Sequence, residues 1–303
     1  MATATQRHWH LGGVPVEINA KGLRGPELPY EKPDDDWRIL YLGDSVTFGF
    51  LLADVAATFP YQVEHLLEQQ GERDVETVNA GVGGYSPWQA YRYFADEGTK
   101  YNPDLVIVSF VLNDVTEKFE LSHFGGRREG YQVTHTAFSQ LDLWASRSST
   151  VYFLKQIGIA LRNDQRQSAL VQEKLDVEML AYQPAHPDVE RAWEITLANL
   201  AQIFDLAAEK DIPVALVIFP FTFQFDDVAG TSAPQQRLTT FAQSHDIPVL
   251  DLLPHLSAKT KAEHSQPADY FFDEDHLTAR GSTVVAEMIV TFLLEMGLGP
   301  PAT

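Results

Sequence analysis

A chain of 303 residues can bury a substantial core, as one large domain or as a domain carrying an insertion. Its 42 acidic residues outweigh 22 basic ones for a formal charge of −20, which opposes binding to a phosphate backbone and argues against a nucleic-acid partner. Cysteine is absent, which excludes disulfides, thiolate metal sites and cysteine nucleophiles.

The opening MATATQRHWHLGG has no apolar signal core, and no apolar run is long enough to span a bilayer, so the chain as written reads as soluble, without a membrane span. Residues 1–37 lack strong periodicity, are punctuated by Gly and Pro, and read as a wrapping arm. Arg38 to Leu42 is a short apolar run ending in Gly-Asp-Ser, as a buried parallel strand should. Phe59 to Gln70 reads as a helix stopped by Gly71, and Val75 to Asn79 as a second strand leading into a glycine-rich turn at Gly81 to Gly84. A helix over Pro87 to Tyr101 follows, with Pro87 suited to the first turn, then a third strand over Asp104 to Phe110.

Residues 115–188 break the rhythm. They stand where a short connection would suffice and are rich in aromatics, among them Phe124 and Trp144, so they read as a helical insertion that walls or lids a pocket. Helix resumes over Val189 to Lys210, where Trp193, Leu197, Leu200, Phe204 and Ala207 share a face. Pro213 to Phe219 is a fourth strand, Pro234 to His245 a helix and Pro248 to Leu252 a fifth strand. A last helix spans about Thr278 to Glu295, with Thr278 as its N-cap. The alternation predicts an α/β fold, a parallel sheet covered on both faces, occupying residues 38–298.

Four short segments at the strand ends carry the chemistry. Ser45, in Gly43-Asp44-Ser45, stands at a strand-to-helix turn where a hydroxyl is exposed beside helix N-terminal amides, although serine is also an ordinary N-cap. Asn79 to Ser86 (NAGVGGYS) brings backbone N–H groups close to a neighbour. In Leu112-Asn113-Asp114, the Asn113 amide could donate to a developing oxyanion. In Asp273-Glu274-Asp275-His276, an Asp three residues before a His can hold one imidazole nitrogen and leave the other facing a nucleophile. Asp and His are also metal ligands, but no second ligand cluster of the usual spacing accompanies them, so neither metal nor cofactor is expected.

Together the blocks LGDSVTFG, NAGVGGYS, VLND and DEDHLTARG resemble those of the SGNH/GDSL hydrolases, in family order, over roughly residues 38–295. The arm segment NAKGLRGPELPYEKP also looks like the stretch preceding the serine block in larger bacterial members. Val46 stands where the family often has Leu, and Val-Leu-Asn-Asp where many members have Gly-x-Asn-Asp. The resemblance implies a flavodoxin-like three-layer α/β/α sandwich with a five-stranded sheet in the order 2-1-3-4-5. It also implies a serine esterase acting on a small-molecule ester. Ser45 is the implied nucleophile, His276 the base and Asp273 its partner, with Asp275 as the rival to Asp273. The implied oxyanion hole comprises the N–H groups of Ser45 and Gly84 (Gly81 as alternative) and the Asn113 side chain. A carbohydrate O-acetylesterase or O-acetyltransferase, or a non-catalytic SGNH-like glycan-binding module, are the other readings it allows.

Overall fold

The computed structural model describes residues 7–11, 14–71, 74–116 and 175–301. Five strands form a parallel sheet: β3 (Trp37–Gly43), β4 (Val75–Gly81), β5 (Leu105–Val111), β6 (Val214–Phe219) and β7 (Val249–Asp251). Their spatial order is β4-β3-β5-β6-β7, or 2-1-3-4-5 counted within the sheet. Every residue of β3, β5 and β6 is buried, which is why these strands, Arg38 and Ser109 apart, are apolar without alternation.

Helices cover the sheet on both sides, in the flavodoxin-like three-layer arrangement. In one layer α2 (Phe59–Glu68) packs against the C-terminal helix α9 (Ala279–Glu295), and Phe59 meets Tyr41 of β3 and Phe219 of β6 edge-on or tilted. In the other, α3 (Pro87–Asp96) packs against α6 (Pro187–Glu209), whose Trp193 stacks on Phe110 of β5. On the predicted apolar face of α6, Trp193, Leu200, Phe204 and Ala207 are buried and Leu197 is half-buried. The helix begins two residues earlier than the periodicity suggests because Pro187 takes its first turn and His186 caps it, accepting from the Asp188 N–H at 3.3 Å.

Three differences from the sequence reading have local causes. The arm contains an antiparallel hairpin, β1 (Arg7–Leu11) with β2 (Val14–Ile18), whose polar alternation and internal Pro15 mask it as strand. The helix read as running to Tyr101 ends at Asp96 and is followed by a 3-10 turn, Gly98–Tyr101. The fifth strand is only three residues long because its last residue, Asp251, already caps α8 (Leu252–Glu263), accepting from the Leu253 N–H at 3.0 Å. Between α8 and β7 lie no turn residues, so the sequence gives no punctuation there.

At the amino end of the sheet, Arg38 is fully buried. It binds Glu76 from two nitrogens, at 2.8 and 2.5 Å, and donates to the carbonyls of Tyr101 at 2.6 Å and Tyr30 at 3.0 Å. This closes the end opposite the glycine and serine turns. The insertion expected over 115–188 falls mostly on residues 117–174, which lie outside the described residues, as do Phe124 and Trp144. Its described flanks are helical: α4 (Asn113–Thr116) and α5 (Val177–Tyr182) pack on each other. α7 (Ala233–Gln243) packs against α5 and β7.

Candidate active site

All four motif segments meet at the carboxyl end of the sheet. Ser45 opens α1 (Ser45–Phe48) directly after β3, and the buried Asp44 caps that turn, its Oδ1 accepting from the Val46 N–H at 2.9 Å. Asn79 at the end of β4 holds the same turn from the side. Its Nδ2 donates to the Thr47 carbonyl at 2.8 Å while its Oδ1 accepts from the Gly81 N–H at 3.0 Å. A Cβ on Gly81 would lie 2.4 Å from the Phe48 nitrogen, so glycine is required there for α1 to pack against the turn. Gly81 is thereby accounted for by packing and by its bond to Asn79. Gly84, with φ +73°, occupies the left-handed region that turns the loop, and a Cβ on its neighbour Gly83 would sit 3.8 Å from that of Ser45.

His276 stands across from Ser45. Its Nε2 is 2.8 Å from the Ser45 Oγ, and its Nδ1 lies 2.8 and 3.0 Å from the two oxygens of Asp273. The loop that carries both is self-braced: Asp273 Oδ1 also accepts the N–H groups of His276 at 2.9 Å and Asp275 at 3.2 Å, and the Phe272 N–H donates to the His276 carbonyl at 2.8 Å. The Phe50 ring lies against the imidazole, centroids 4.8 Å apart. Partial burial opposes ionisation of Asp273, but the hydrogen bonds from His276 and Asp275 outweigh it and hold the carboxyl below its ordinary range. Burial pushes the Asp275 carboxyl the other way, up to about 6, with the imidazole pulling it down and Asp273 adding to the rise.

Asn113, at the start of α4, donates its Nδ2 to Asp44 Oδ2 at 3.3 Å, so the carboxylate that caps the serine turn also orients this amide. Asp114 turns inward and accepts the Val111 N–H at 3.1 Å. The acidic and imidazole groups of Asp273, Asp275 and His276 lie within 4.8 Å of one another, the spacing a cation could bridge. The same atoms also stand at hydrogen-bonding distance in series, Nδ1 from Asp273 and Nε2 from the Ser45 hydroxyl. Among the described residues no helix is long and apolar enough to cross a membrane.

The sequence reading named Ser45, Gly84, Asn113, Asp273 and His276, and the fold gathers their segments at one end of the sheet. It did not find Asn79 as the tie between the two turns, or Phe50 against the imidazole. Both act across the fold from residues remote in sequence, which local spacing does not encode.

A serine hydroxyl, an imidazole and a carboxylate in hydrogen-bonded series, above a five-stranded parallel sheet, are the equipment of nucleophilic acyl chemistry. The chain belongs to the GDSL-like lipase/acylhydrolase family, whose model matches residues 41–284. A comparison with curated proteins found no significant match. Among solved structures, it is similar to a two-domain esterase active on acetylated mannans, at 15% identity and a TM-score of 0.52 over 88% of this chain and 52% of that one. The chain thus spans about half the length of that esterase. An acetyl xylan esterase matches at 15% identity and a TM-score of 0.50, over 84% of this chain and 98% of its own. LAE5, an alpha/beta hydrolase enzyme from the metagenome of Lake Arreo, Spain, matches at 16% identity and 0.50, over 90% and 99%. Likenesses at this level of identity are likenesses of fold.

Proposed function

We propose that the protein is a serine esterase that hydrolyses carboxylic esters through an acyl-enzyme. The observation that carries this reading is the unbroken series Ser45 Oγ–His276 Nε2 at 2.8 Å and His276 Nδ1–Asp273 Oδ2 at 2.8 Å. Ser45 attacks the ester carbonyl as His276 takes its proton, while Asp273 fixes the imidazole tautomer and balances the imidazolium. The N–H groups of Ser45 and Gly84 and the Asn113 amide hold the tetrahedral oxyanion. His276 then returns the proton to the leaving alcohol, and water repeats the sequence on the acyl-enzyme to release the acid. The acyl transfer needs no cofactor.

A carbohydrate O-acetyl ester is the second reading of the substrate. Phe272, next to Asp273, and Trp88, in the helix that follows the glycine turn, are exposed. Flat exposed rings beside both turns suit stacking on a sugar. The two similar polysaccharide esterases point the same way.

The test is turnover of p-nitrophenyl acetate and of acetylated xylan and mannan, together with labelling by a fluorophosphonate. Ser45→Ala and His276→Ala should each lose about four or more orders of magnitude in kcat with the fold intact, and the double variant should lose little more, because the pair acts as a unit. A Ser45→Ala protein keeping more than about a tenth of the parent rate would remove the nucleophile assignment.

A further inference from the structure

His276 is not held by one carboxylate. Asp275 Oδ1 lies 3.2 Å from the same Nδ1 that faces Asp273, and the two acids differ sharply in setting. The Asp273 side chain is 45% exposed, whereas that of Asp275 is 9% exposed. The loop fixes this division of labour. Asp273 spends Oδ1 on the N–H groups of His276 and Asp275, while the Glu274 carbonyl accepts the Thr222 N–H at 2.8 Å and anchors the segment between them. Asp275 is thereby turned inward, under the imidazole, where a charge is screened far less than one at the surface.

We infer that Asp275 is a second positioning residue for His276: its buried carboxylate stabilises the imidazolium that forms during acyl transfer, while Asp273 chiefly fixes the ring's tautomer and angle. The inference rests on the esterase reading for its kinetic consequence but not for its electrostatic one. An N–H at Nδ1 can point fully at only one acceptor, so Asp273, at 2.8 Å, takes the hydrogen bond and Asp275 acts through its charge. Among the described residues, the ionisable groups that act on Asp275 are His276, Asp273 and Glu274. Both carboxylates stand within 3.2 Å of the same imidazole nitrogen, so a negative charge on Asp275 favours a proton on His276. With burial raising Asp275, the second negative charge is absent in acid and present at neutral pH, where the imidazole must accept a proton.

The decisive experiment is an NMR titration of the His276 ring in a Ser45→Ala background, where no turnover is needed, paired with pH–rate profiles on p-nitrophenyl acetate in the Ser45 protein. Asp275→Asn keeps shape and removes charge. It should lower the His276 midpoint by about one unit, the size expected for losing an opposite charge within hydrogen-bonding range. The acid limb of kcat/KM should move with it. Asp273→Asn should retain activity that the Asp273→Asn/Asp275→Asn double variant lacks. An unchanged midpoint, or a double variant no worse than Asp273→Asn, overturns the inference. If Asp275→Asn does not fold, Asp275→Ser removes the same charge in a smaller side chain, and an unchanged His276 midpoint there overturns the inference. A protein that hydrolyses no ester and leaves Ser45 unlabelled sinks the esterase reading instead, while the midpoint shift still judges Asp275 by itself.

Discussion

The Asn113 amide is oriented by a carboxylate that itself caps the serine turn, so one buried side chain, Asp44, sets both the nucleophile candidate and the candidate oxyanion donor. In an ester ground state the carbonyl oxygen carries a partial charge, and in the tetrahedral intermediate nearly a full one, so a donor aimed at it counts chiefly in the transition state. Asn113→Ala is therefore expected to lower kcat by about 10²–10³ with KM for a small ester nearly unchanged. Asp114→Ala should behave differently. It strips the acceptor from the buried Val111 N–H, which costs about 1–3 kcal/mol, so the melting temperature should fall along with activity. Steady-state kinetics and thermal melts on the two variants separate the roles. If Asn113→Ala raised KM at constant kcat, the residue would bind substrate and stabilise no oxyanion. At this scale the sequence is legible where two side chains of one loop meet at a fixed offset, as Asp273 and His276 do. It is silent on Asn79, Phe50 and the depth of Asp275, because those depend on which turns the sheet brings together.

At the scale of elements, three of the five strands are readable because burial on both faces forces apolar runs, and β3, β4 and β7 end in a Gly or Asp that turns the chain. The helix Leu252–Glu263 is not readable in this way. Its amphipathic periodicity is weak, and Pro254 looks like a breaker, although a proline is tolerated in a first turn. The arm hides a different device. Arg24, 1% exposed, donates to the carbonyls of Phe48 at 3.1 Å, Gly49 at 2.5 Å and Leu52, so it collects the chain that leaves the short helix carrying Ser45. Tyr61 of α2 holds the arm in turn, its hydroxyl donating to the Arg24 carbonyl at 3.2 Å. Arg24→Met should destabilise the protein by on the order of 3 kcal/mol, because three carbonyls lose a charged donor in a buried place. Arg24→Lys should recover little of it, since a single ammonium cannot reproduce the planar fork. Urea denaturation measures both. A lysine variant as stable as the parent would mean that charge alone, and not the fork, holds the loop.

The whole molecule carries a formal charge of −20, and one partly buried acid within it holds its proton for mainly local reasons. Glu64, half-buried on α2, has its carboxyl pushed up to about 7, first by burial and then by repulsion from Glu68 and Glu76, while hydrogen bonds with Thr77 pull it down. The folded state therefore holds this proton more tightly than the unfolded chain, whose carboxyl titrates near 4.5. The resulting stability is fully present below about 4.5 and is lost as pH rises through about 7. At 1.36 kcal/mol per pH unit the gap is at most about 3.4 kcal/mol. Partial exposure of the carboxyl lowers the expectation to about 1–2 kcal/mol. Glu64→Gln, a neutral replacement of the same shape, should match the parent at pH 4.5 and exceed its stability by that amount at pH 8, measured by urea denaturation at both values. Salt then divides the cause. Sodium chloride at 0.5 M, roughly the regime where screening acts within a few ångströms, should raise the melting temperature of both proteins by damping their net charge. It should leave most of the difference between them intact, because burial is the larger cause and is not screened. A difference that vanishes in salt would assign the shift to the acidic surface, and no difference at pH 8 in either buffer would mean that Glu64 ionises freely in the folded protein.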